Sequence, residues 1–577
     1  MAATGHQRAI GLAPDTFGNE LYDIVNNADP VAFDDPNGKE KDIMVTGATD
    51  HIEDIGAGVK ERETVYVPPT EQLSFFKAIK RYKYAALLCF MAGLSAWCDG
   101  YEQGMSGSII ALTGFVRQFG VLGSNGKYAL EPLNVSLFTS MKNVTAVVGG
   151  ITMSFPVDRF GRKFCFLFLN VLMIGCCITE MYAKTPAQWI GARLIDGFAV
   201  GMATSFVNVY VAELAPTPAR GALMGFYAFF NNAGGFTGGV GLNIVQRLPS
   251  DKWRNVIYSQ WVLIGLALMG ALWIPESPRW LVGKGRMEKA RKVLTRVYGN
   301  CEHYDIEVEL QRMVEEVEYA KREKSIRASG SYRDIVRGTN FLRLICSTLP
   351  YHFQAAVGVP IISIYSSYFF GLVGLPNPFD ATVATGVTQI VSCVFAIYLI
   401  ERIGRRKLVL MGGVGCICCL IAMGMAAKVN PTGTANLLVA LACLWYMFFS
   451  LSISPLGYIY MSETSTVSLR AKIAATANIF CQAMSFAYNY IVPICLAAPA
   501  LGTGGTVLLF VATGSCVWIL IFFIVPETKS RSFTELDELF ARKIPAWRFS
   551  TTETAEDKMR KETDAATSGV APLPRDA

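Results

Sequence analysis

The sequence predicts an all-α membrane protein whose twelve transmembrane helices fall into two pseudo-equivalent sets of six. Three observations predict it. The 577 residues are 52% hydrophobic and only 17% charged, with a mean hydropathy of +0.34, too apolar for an ordinary soluble protein. Apolar windows of about 20 residues, the length that crosses a bilayer core, recur along the middle of the chain. A basic hexapeptide occurs twice, as Asp158-Arg-Phe-Gly-Arg-Lys163 and as Glu401-Arg-Ile-Gly-Arg-Arg406, each time between two apolar segments.

Residues 1–78 are polar and partly acidic, with no charged-then-apolar start that could act as a cleaved signal. They read as a cytoplasmic tail, and the first transmembrane helix does the targeting. Spans are placed near 84–107, 136–157, 164–182, 187–212, 221–246 and 255–274, which gives an N-terminal bundle over 79–275. A polar linker, 276–340, follows. The second bundle, 341–526, holds spans near 341–371, 380–400, 407–427, 436–462, 472–498 and 504–525. Residues 527–577 form a C-terminal tail, and the polar last stretch of it reads as disordered. Within the linker, Ala290, Val293, Leu294 and Val297 recur at helical spacing amid alternating charge. That pattern predicts short amphipathic helices with a solvated charged face, a plainer reading than a docking site for a calmodulin-like partner.

The net charge of +6 does not imply nucleic acid, because the basic residues cluster in short loops beside membrane segments. Basic loops stay cytoplasmic, so 158–163, 401–407 and the linker face inward, and an even number of spans puts both tails inside. The plasma membrane is the expected location. Many of the 15 cysteines lie in apolar segments, which argues against a disulfide framework or a metal site. Asn134-Val-Ser136 is a glycosylation sequon in the first predicted external loop, so close to the membrane that its use is disfavoured.

Two further pairs support a duplication. Glu213 precedes Arg220 as Glu463 precedes Arg470, and Pro275-Glu-Ser-Pro-Arg-Trp-Leu281 is followed at nearly the same spacing by Pro526-Glu-Thr-Lys529. Three charged signals in one order point to parallel repeats. The paired R-x-G-R loops, E-L-A-P-T-P-A-R, P-E-S-P-R-W-L and P-E-T-K resemble the sugar porter family of the major facilitator superfamily over about residues 80–545. Within it, Gly100-Tyr-Glu-Gln-Gly104, Phe115-Val-Arg-Gln-Phe-Gly120, Gln260-Trp-Val262, Tyr365-Ser-Ser-Tyr-Phe-Phe370 and Glu535-Leu-Asp-Glu-Leu-Phe540 are similar to fungal α-glucoside (maltose-type) permeases. The resemblance implies a major facilitator fold with a small cytoplasmic helical bundle tying the halves together.

The arginine fork matches carboxylates, so the repeated loops are expected to form a cytoplasmic gate. Arg159, Arg162, Arg402 and Arg405 would bridge helix ends carrying Glu213 and Glu463 when the carrier faces outward, and let go when it faces inward. Asp158, Arg220, Glu276, Arg279, Glu401, Arg470 and Glu527 belong to the same motifs. The plainer reading is that the arginines only fix orientation, but topology alone needs neither the glycine nor the repeated acids.

Charges inside membrane helices cost roughly 2.5–3.5 kcal/mol each at a helix centre, so each needs a reason. Asp99 and Glu102 stand three apart on one helix face, as do Arg193 and Asp196. The resemblance implies that Glu102 is a proton-accepting acid facing Arg193. Taking up a proton from outside would release Arg193, and the proton would leave to the cytoplasm after substrate transfer. The plainer alternative is a static pair in which Asp196 neutralises Arg193. Asp99 would line an external vestibule or serve as another proton site. The glycines Gly197, Gly201, Gly234, Gly235, Gly238 and Gly239 are read as close-packing faces.

A sugar cavity should display hydrogen-bonding side chains. Carried over from the family pattern, the expected contacts are Asn231, Asn232, Gln354, Tyr365, Gln389, Tyr458, Gln482 and Asn489, whereas Ala228, Ala355 and Pro360 depart from the hexose set. Tyr365, Tyr368, Phe369 and Phe370 fit either an aromatic lid or a membrane-interface belt. His352, alone in an apolar helix, is read as structural. The expected function is a secondary transporter taking up a sugar or glycoside with protons across a lipid bilayer. A facilitator or exporter of a non-sugar metabolite is the alternative, and a non-transporting sensor ranks third. No HExxH, Walker A or G-x-S-x-G motif occurs. No enzyme activity and no cofactor is expected.

Overall fold

Within lipid every backbone N–H must find a partner inside its own segment, so the long apolar runs become helices. The computed structural model describes residues 80–558, apart from 124–125, 216–219, 300, 302–304, 328–331, 430–432, 466–468, 530 and 532. The N-terminal tail and residues 559–577 lie outside the described residues, but the start of the last 30 residues, expected to be disordered, is tied down by Thr554 donating to Glu535 and by Arg531 pairing with Asp557. All helices below belong to the unit Tyr66–Ala577.

The first half contains α1 (Lys83–Ser106), α2 (Pro132–Thr152), α3 (Arg162–Tyr182), α4 (Pro186–Leu214), α5 (Arg220–Gln246) and α6 (Asn255–Trp273). The second contains α7, in the consecutive pieces Thr339–Ala356, Pro360–Ile364 and Ser366–Leu372, then α8 (Pro378–Ile403) and α9 (Arg405–Val429). It continues with α10, in the pieces Ala435–Phe448, Phe449–Ile453 and Ser454–Glu463, then α11 (Arg470–Ala497) and α12 (Gly502–Ile524). Every predicted span is there, within a few residues. Among the described residues, α3, α4, α6 and α8 to α12 are long and apolar enough to cross a membrane on composition alone. The other four are diluted by polar groups that turn inward or, in α7, by a break.

Backbone contact between small residues brings the first half together. α1 packs along α5, α2 along α4, and α3 lies against both α4 and α6. A Cβ at Gly100 would come within 1.9 Å of the Asn231 carbonyl, and one at Gly201 within 2.0 Å of the Ala146 carbonyl, so only glycine allows these approaches. Gly197, Gly234 and Gly238 are equally closed in, whereas Gly235 and Gly239 have room for a methyl group. In the second half α7 packs against α10, α11 and α12, and α9 against α10 and α12. The halves meet along α2–α11 and α5–α8.

Two helices of the second half are interrupted by π-turns, Pro360–Ile364 in α7 and Phe449–Ile453 in α10. Proline at 360 removes a ladder donor, and Gly358 before it takes φ 103°, a conformation open to glycine. The linker forms Pro278–Gly283, Met287–Tyr298 and Ile306–Arg327. Ala290, Leu294 and Val297 are buried as predicted, in a core shared with α1 and α4, and Tyr298 donates its hydroxyl to the Leu214 carbonyl. These three helices pack on the first half, while a further turn of the linker, Tyr332–Val336, packs through Ile335 against Leu344 of α7 and against Leu469 and Ile473 at the start of α11. A C-terminal helix, Phe533–Ala541, closes on α7 through Leu536, Leu539, Phe540 and Cys346. A two-residue antiparallel pair, Val121–Leu122 with Tyr128–Ala129, sits in the loop between α1 and α2.

Candidate functional site

All six helices of the first half aim charged or amide side chains into one region. Arg193 of α4 is fully buried and makes ion pairs with Glu102 of α1 and Glu180 of α3. Its guanidinium lies 5.0 Å from the Trp189 ring. Gln260 of α6 donates Nε2 to both acids, at 2.8 Å from Glu102 Oε2 and 3.1 Å from Glu180 Oε2. Beside this group, Lys142 of α2 lies 3.2 Å from Asp196 and 3.6 Å from Asp99. Asp196 is 3.9 Å from Arg193, so it serves the lysine first and the arginine second. Asn231 of α5 donates to Asp99 at 3.1 Å.

Four carboxyl groups thus surround two cations in the membrane interior. A cavity of ≈ 20 Å³, enough for one water, is lined by Asp99, Glu102, Asp196 and Gln260 and joins the two groups. Sequence reasoning placed Glu102, Arg193, Asp99 and Asp196 here but missed Glu180, Lys142 and the bridging role of Gln260. The signal for the first two was present, since both are charges within predicted spans.

From Asp99 a polar seam runs to the second half. Asn231 is followed by Asn232, whose Oδ1 accepts from Gln389 Nε2 of α8 at 2.9 Å and whose Nδ2 reaches Cys393 Sγ at 3.4 Å. Gln354 of α7 donates to the Ser454 carbonyl at 2.8 Å, where the break in α10 frees it. Tyr458 is 58% exposed and stands over Tyr351 with ring centroids 4.9 Å apart. Gln482 is half-buried on α11. His352 stacks on Tyr488.

Tyr365 and Asn489 correct the sequence reading. Both are buried, and Tyr365, with its hydroxyl bonded to Thr139 and to the Asn489 carbonyl, is part of a seal between the halves rather than a cavity wall. Phe369 and Phe370 are buried as well, so they are neither an open lid nor an interface belt. The π-turn explains the error. It adds a residue to the turn and rotates the following side chains by about 100° from the face that simple counting assigns. The seal is completed by Ser136 donating to the Tyr490 carbonyl at 2.7 Å and by Asn243 donating to Asp380 at 2.5 Å. All of it lies at the end away from the basic loops, where these bonds tie the halves together.

At the basic end the two repeats build the same unit twice. Gly161 (φ 96°) and Gly404 (φ 99°) end one helix and start the next. The Glu276 carboxylate accepts from the Arg162 backbone N–H at 2.7 Å, and Glu527 from the Arg405 N–H at 2.9 Å, each capping a helix N-terminus from a distant segment. Arg162 reaches Glu213 at 2.8 Å and Arg405 reaches Glu463 at 3.4 Å. Tyr210 donates to the Pro275 carbonyl and Tyr460 to the Pro526 carbonyl, both at 3.0 Å. Each pair joins two helix ends within one half, Arg162 at the start of α3 with Glu213 at the end of α4, and Arg405 at the start of α9 with Glu463 at the end of α10. Arg159 is exposed, near the Phe155 and Phe160 rings; the Asp158 carbonyl accepts from Trp280, and the Arg402 carbonyl from Lys529. Arg279 pairs with Glu316 of the linker at 3.6 Å. The side chains of Arg220, Glu401 and Arg470 lie outside the described residues. Asn134 sits in the first turn of α2 and donates to Glu131 at 3.3 Å.

This arrangement holds charge inside a membrane helix bundle whose halves are tied together at one end, which is transporter chemistry. The profile of the family described as "Sugar (and other) transporter" matches residues 88–540. The low-affinity glucose transporter HXT3 of Saccharomyces cerevisiae is 25% identical over 490 residues, covering 81% of this chain and 84% of the relative. HXT1 of the same yeast is 26% identical, covering 81% and 83%. Among solved structures, the inward open xylose transporter XylE from E. coli superposes with a TM-score of 0.63 at 21% identity, over 79% of this chain and 98% of that one. A structure of the proton:xylose symporter XylE bound to 6-bromo-6-deoxy-D-glucose gives 0.61 at 21% identity, over 80% and 100%. The chain belongs to the sugar transporter family of the major facilitator superfamily, a family of membrane carriers and not of enzymes.

Proposed function

We propose that this carrier takes up a sugar or glycoside together with protons by alternating access, from the plasma membrane, with its basic ends and both termini in the cytoplasm. The observation that carries the coupling is Arg193, enclosed between Glu102 and Glu180 in the membrane interior. A static brace could be built from apolar side chains with no insertion cost, whereas a carboxyl poised between a cation and a dry interior can change charge as the pocket opens and closes.

In this reading Glu102 binds a proton arriving from outside and loosens its hold on Arg193. Asp99, already bonded to Asn231, passes the change into the Asn231–Asn232–Gln389 seam, where sugar hydroxyls would bind alongside Gln354, Tyr458 and Gln482. The outer seal around Tyr365 shuts behind the cargo. The braced units at the basic end, Arg162–Glu213 and Arg405–Glu463, keep each half rigid while the halves rock.

The α-glucoside reading rests on the sequence stretches of that type, while the yeast relatives are glucose transporters, so both cargo classes are tested. A host lacking its own sugar carriers is given labelled maltose, sucrose, glucose and a polyol at two external pH values. Uptake of at least one sugar, faster at the acidic pH and accompanied by external alkalinisation, is the expected result. Uptake independent of pH removes the coupling. No uptake of any of the four transfers the assignment to a non-sugar metabolite, the reading that exposed Ala228 and buried Pro360 favour.

A further inference from the structure

Releasing Arg193 from Glu102 raises a physical difficulty. A guanidinium stays protonated under all ordinary conditions, and left without a partner in a buried site it would cost several kcal/mol. The protonated state of Glu102 would then be too unfavourable to populate. The structure holds a second acid in the right place.

Glu180 is wholly enclosed in the last turn of α3. Arg193 contacts Glu180 through Nη2 and Glu102 through Nη1, so one planar fork touches both carboxylates. Gln260 bridges the same two groups with a single amide nitrogen. The other groups facing Glu180 are the Cys176 thiol, 3.7 Å away on its own helix, and, behind Arg193, Asp196 with Lys142. Among the described residues no second cation contacts Glu180, so the two acids compete for one arginine.

We propose that Glu180 is the holding partner of Arg193 in the protonated state, so that Glu102 and Glu180 together bind one exchangeable proton. The proton bonds to a carboxylate oxygen of Glu102, and Arg193, keeping all of its own protons, moves its weight onto Glu180. When the proton leaves that oxygen for water, the guanidinium returns to share both acids. Glu180 is thus a positioning residue: it keeps the cation paired on both sides of the step. Its part in transport rests on the coupling reading above, but its effect on proton binding does not.

The proton itself serves as the probe. The full-length protein, purified and reconstituted, is titrated while the infrared carboxylic acid band of buried groups is followed. In the wild type this band is expected to titrate with a measurable midpoint. In Glu180→Gln, protonating Glu102 would leave Arg193 only Asp196, 3.9 Å away and already held by Lys142, so the carboxylate form is favoured and the midpoint falls by about one pH unit or more. Should Glu180→Gln fail to fold, Glu102→Gln is the mirror test, with the midpoint of the remaining acid falling likewise because it no longer shares the arginine. A midpoint unchanged from wild type in the folded variant overturns the proposal, as does a wild type with no titrating buried carboxyl. A wild type that titrates as expected but moves no protons with sugar overturns only the coupling reading.

Discussion

The two halves share their ends and differ in their middles. At the basic end, capping acid, positive-φ glycine, arginine and tyrosine recur at matching positions, with cap and tyrosine hydrogen bonds of nearly equal length. In the middle, the first half buries Asp99, Glu102, Glu180, Arg193 and Asp196. The buried polar residues of the second half are mostly neutral, such as Ser347, Thr385, Ser452 and Asn489, and its one fully buried arginine among the described residues, Arg343, sits near the start of α7 and pairs with Asp537 of the tail. The second half instead carries the broken helices α7 and α10. Duplication therefore kept the mechanical fittings and let the interiors specialise: one half holds charge on straight helices, the other bends.

The strongest way to break this contrast is Arg193→Leu. It leaves Glu102 and Glu180 buried without a cation, and a loss of about 3–5 kcal/mol should appear as a large drop in thermal unfolding temperature in detergent. Gln354→Leu in the second half should cost only about 1 kcal/mol in the same assay. Equal losses would mean that the charged core contributes no more than a neutral one. The likeness of the ends is sharpened by Gly161→Ala and Gly404→Ala, each expected to cost about 1–3 kcal/mol through strained backbone, and by similar amounts. A large loss in one and none in the other would show that the repeats have diverged mechanically.

The seal offers a smaller effect. Tyr365→Phe removes hydroxyl bonds to Thr139 and the Asn489 carbonyl, worth about 1 kcal/mol. A thiol reagent applied from the sealed end should then label a cysteine introduced at Tyr458 roughly five-fold faster, and an unchanged rate would mean the seal lies elsewhere. Smallest is a pH effect at the C-terminal tail. Burial raises the Asp557 carboxyl slightly, but hydrogen bonds from Arg531 and Thr554 outweigh this and hold it at about 2. Its stabilising contribution is complete above the unfolded value of about 4 and is lost as pH falls toward 2. Protease resistance of residues 533–558 should therefore be flat through neutral pH and weaken only in strong acid.

Much of this was readable in the chain. The spans followed from apolar length, and the paired ends from the repeated motifs, because both are local signals. Glu180 escaped because Glu102 and Asp196 already offered partners for Arg193, and Lys142 because no cation was sought for Asp99 and Asp196. The acid nearest Arg193 comes instead from α3, a neighbour fixed only by packing. Gln260 was noticed as a family signature but not as a bridge, for the same reason. Tyr365 was misplaced because its orientation depends on a π-turn that leaves no periodic trace in the sequence.

Gly161 and Gly404 carry one more consequence. A Cβ at Gly161 would lie 2.3 Å from a Glu276 oxygen, and one at Gly404 2.9 Å from a Glu527 oxygen, on a backbone that already excludes most side chains. Each glycine is thus locked to an acid more than a hundred positions away, so neither can change first without loss. In a drifting lineage such a pair is preserved as a unit, which accounts for two hexapeptides staying recognisable while the interiors between them became unlike.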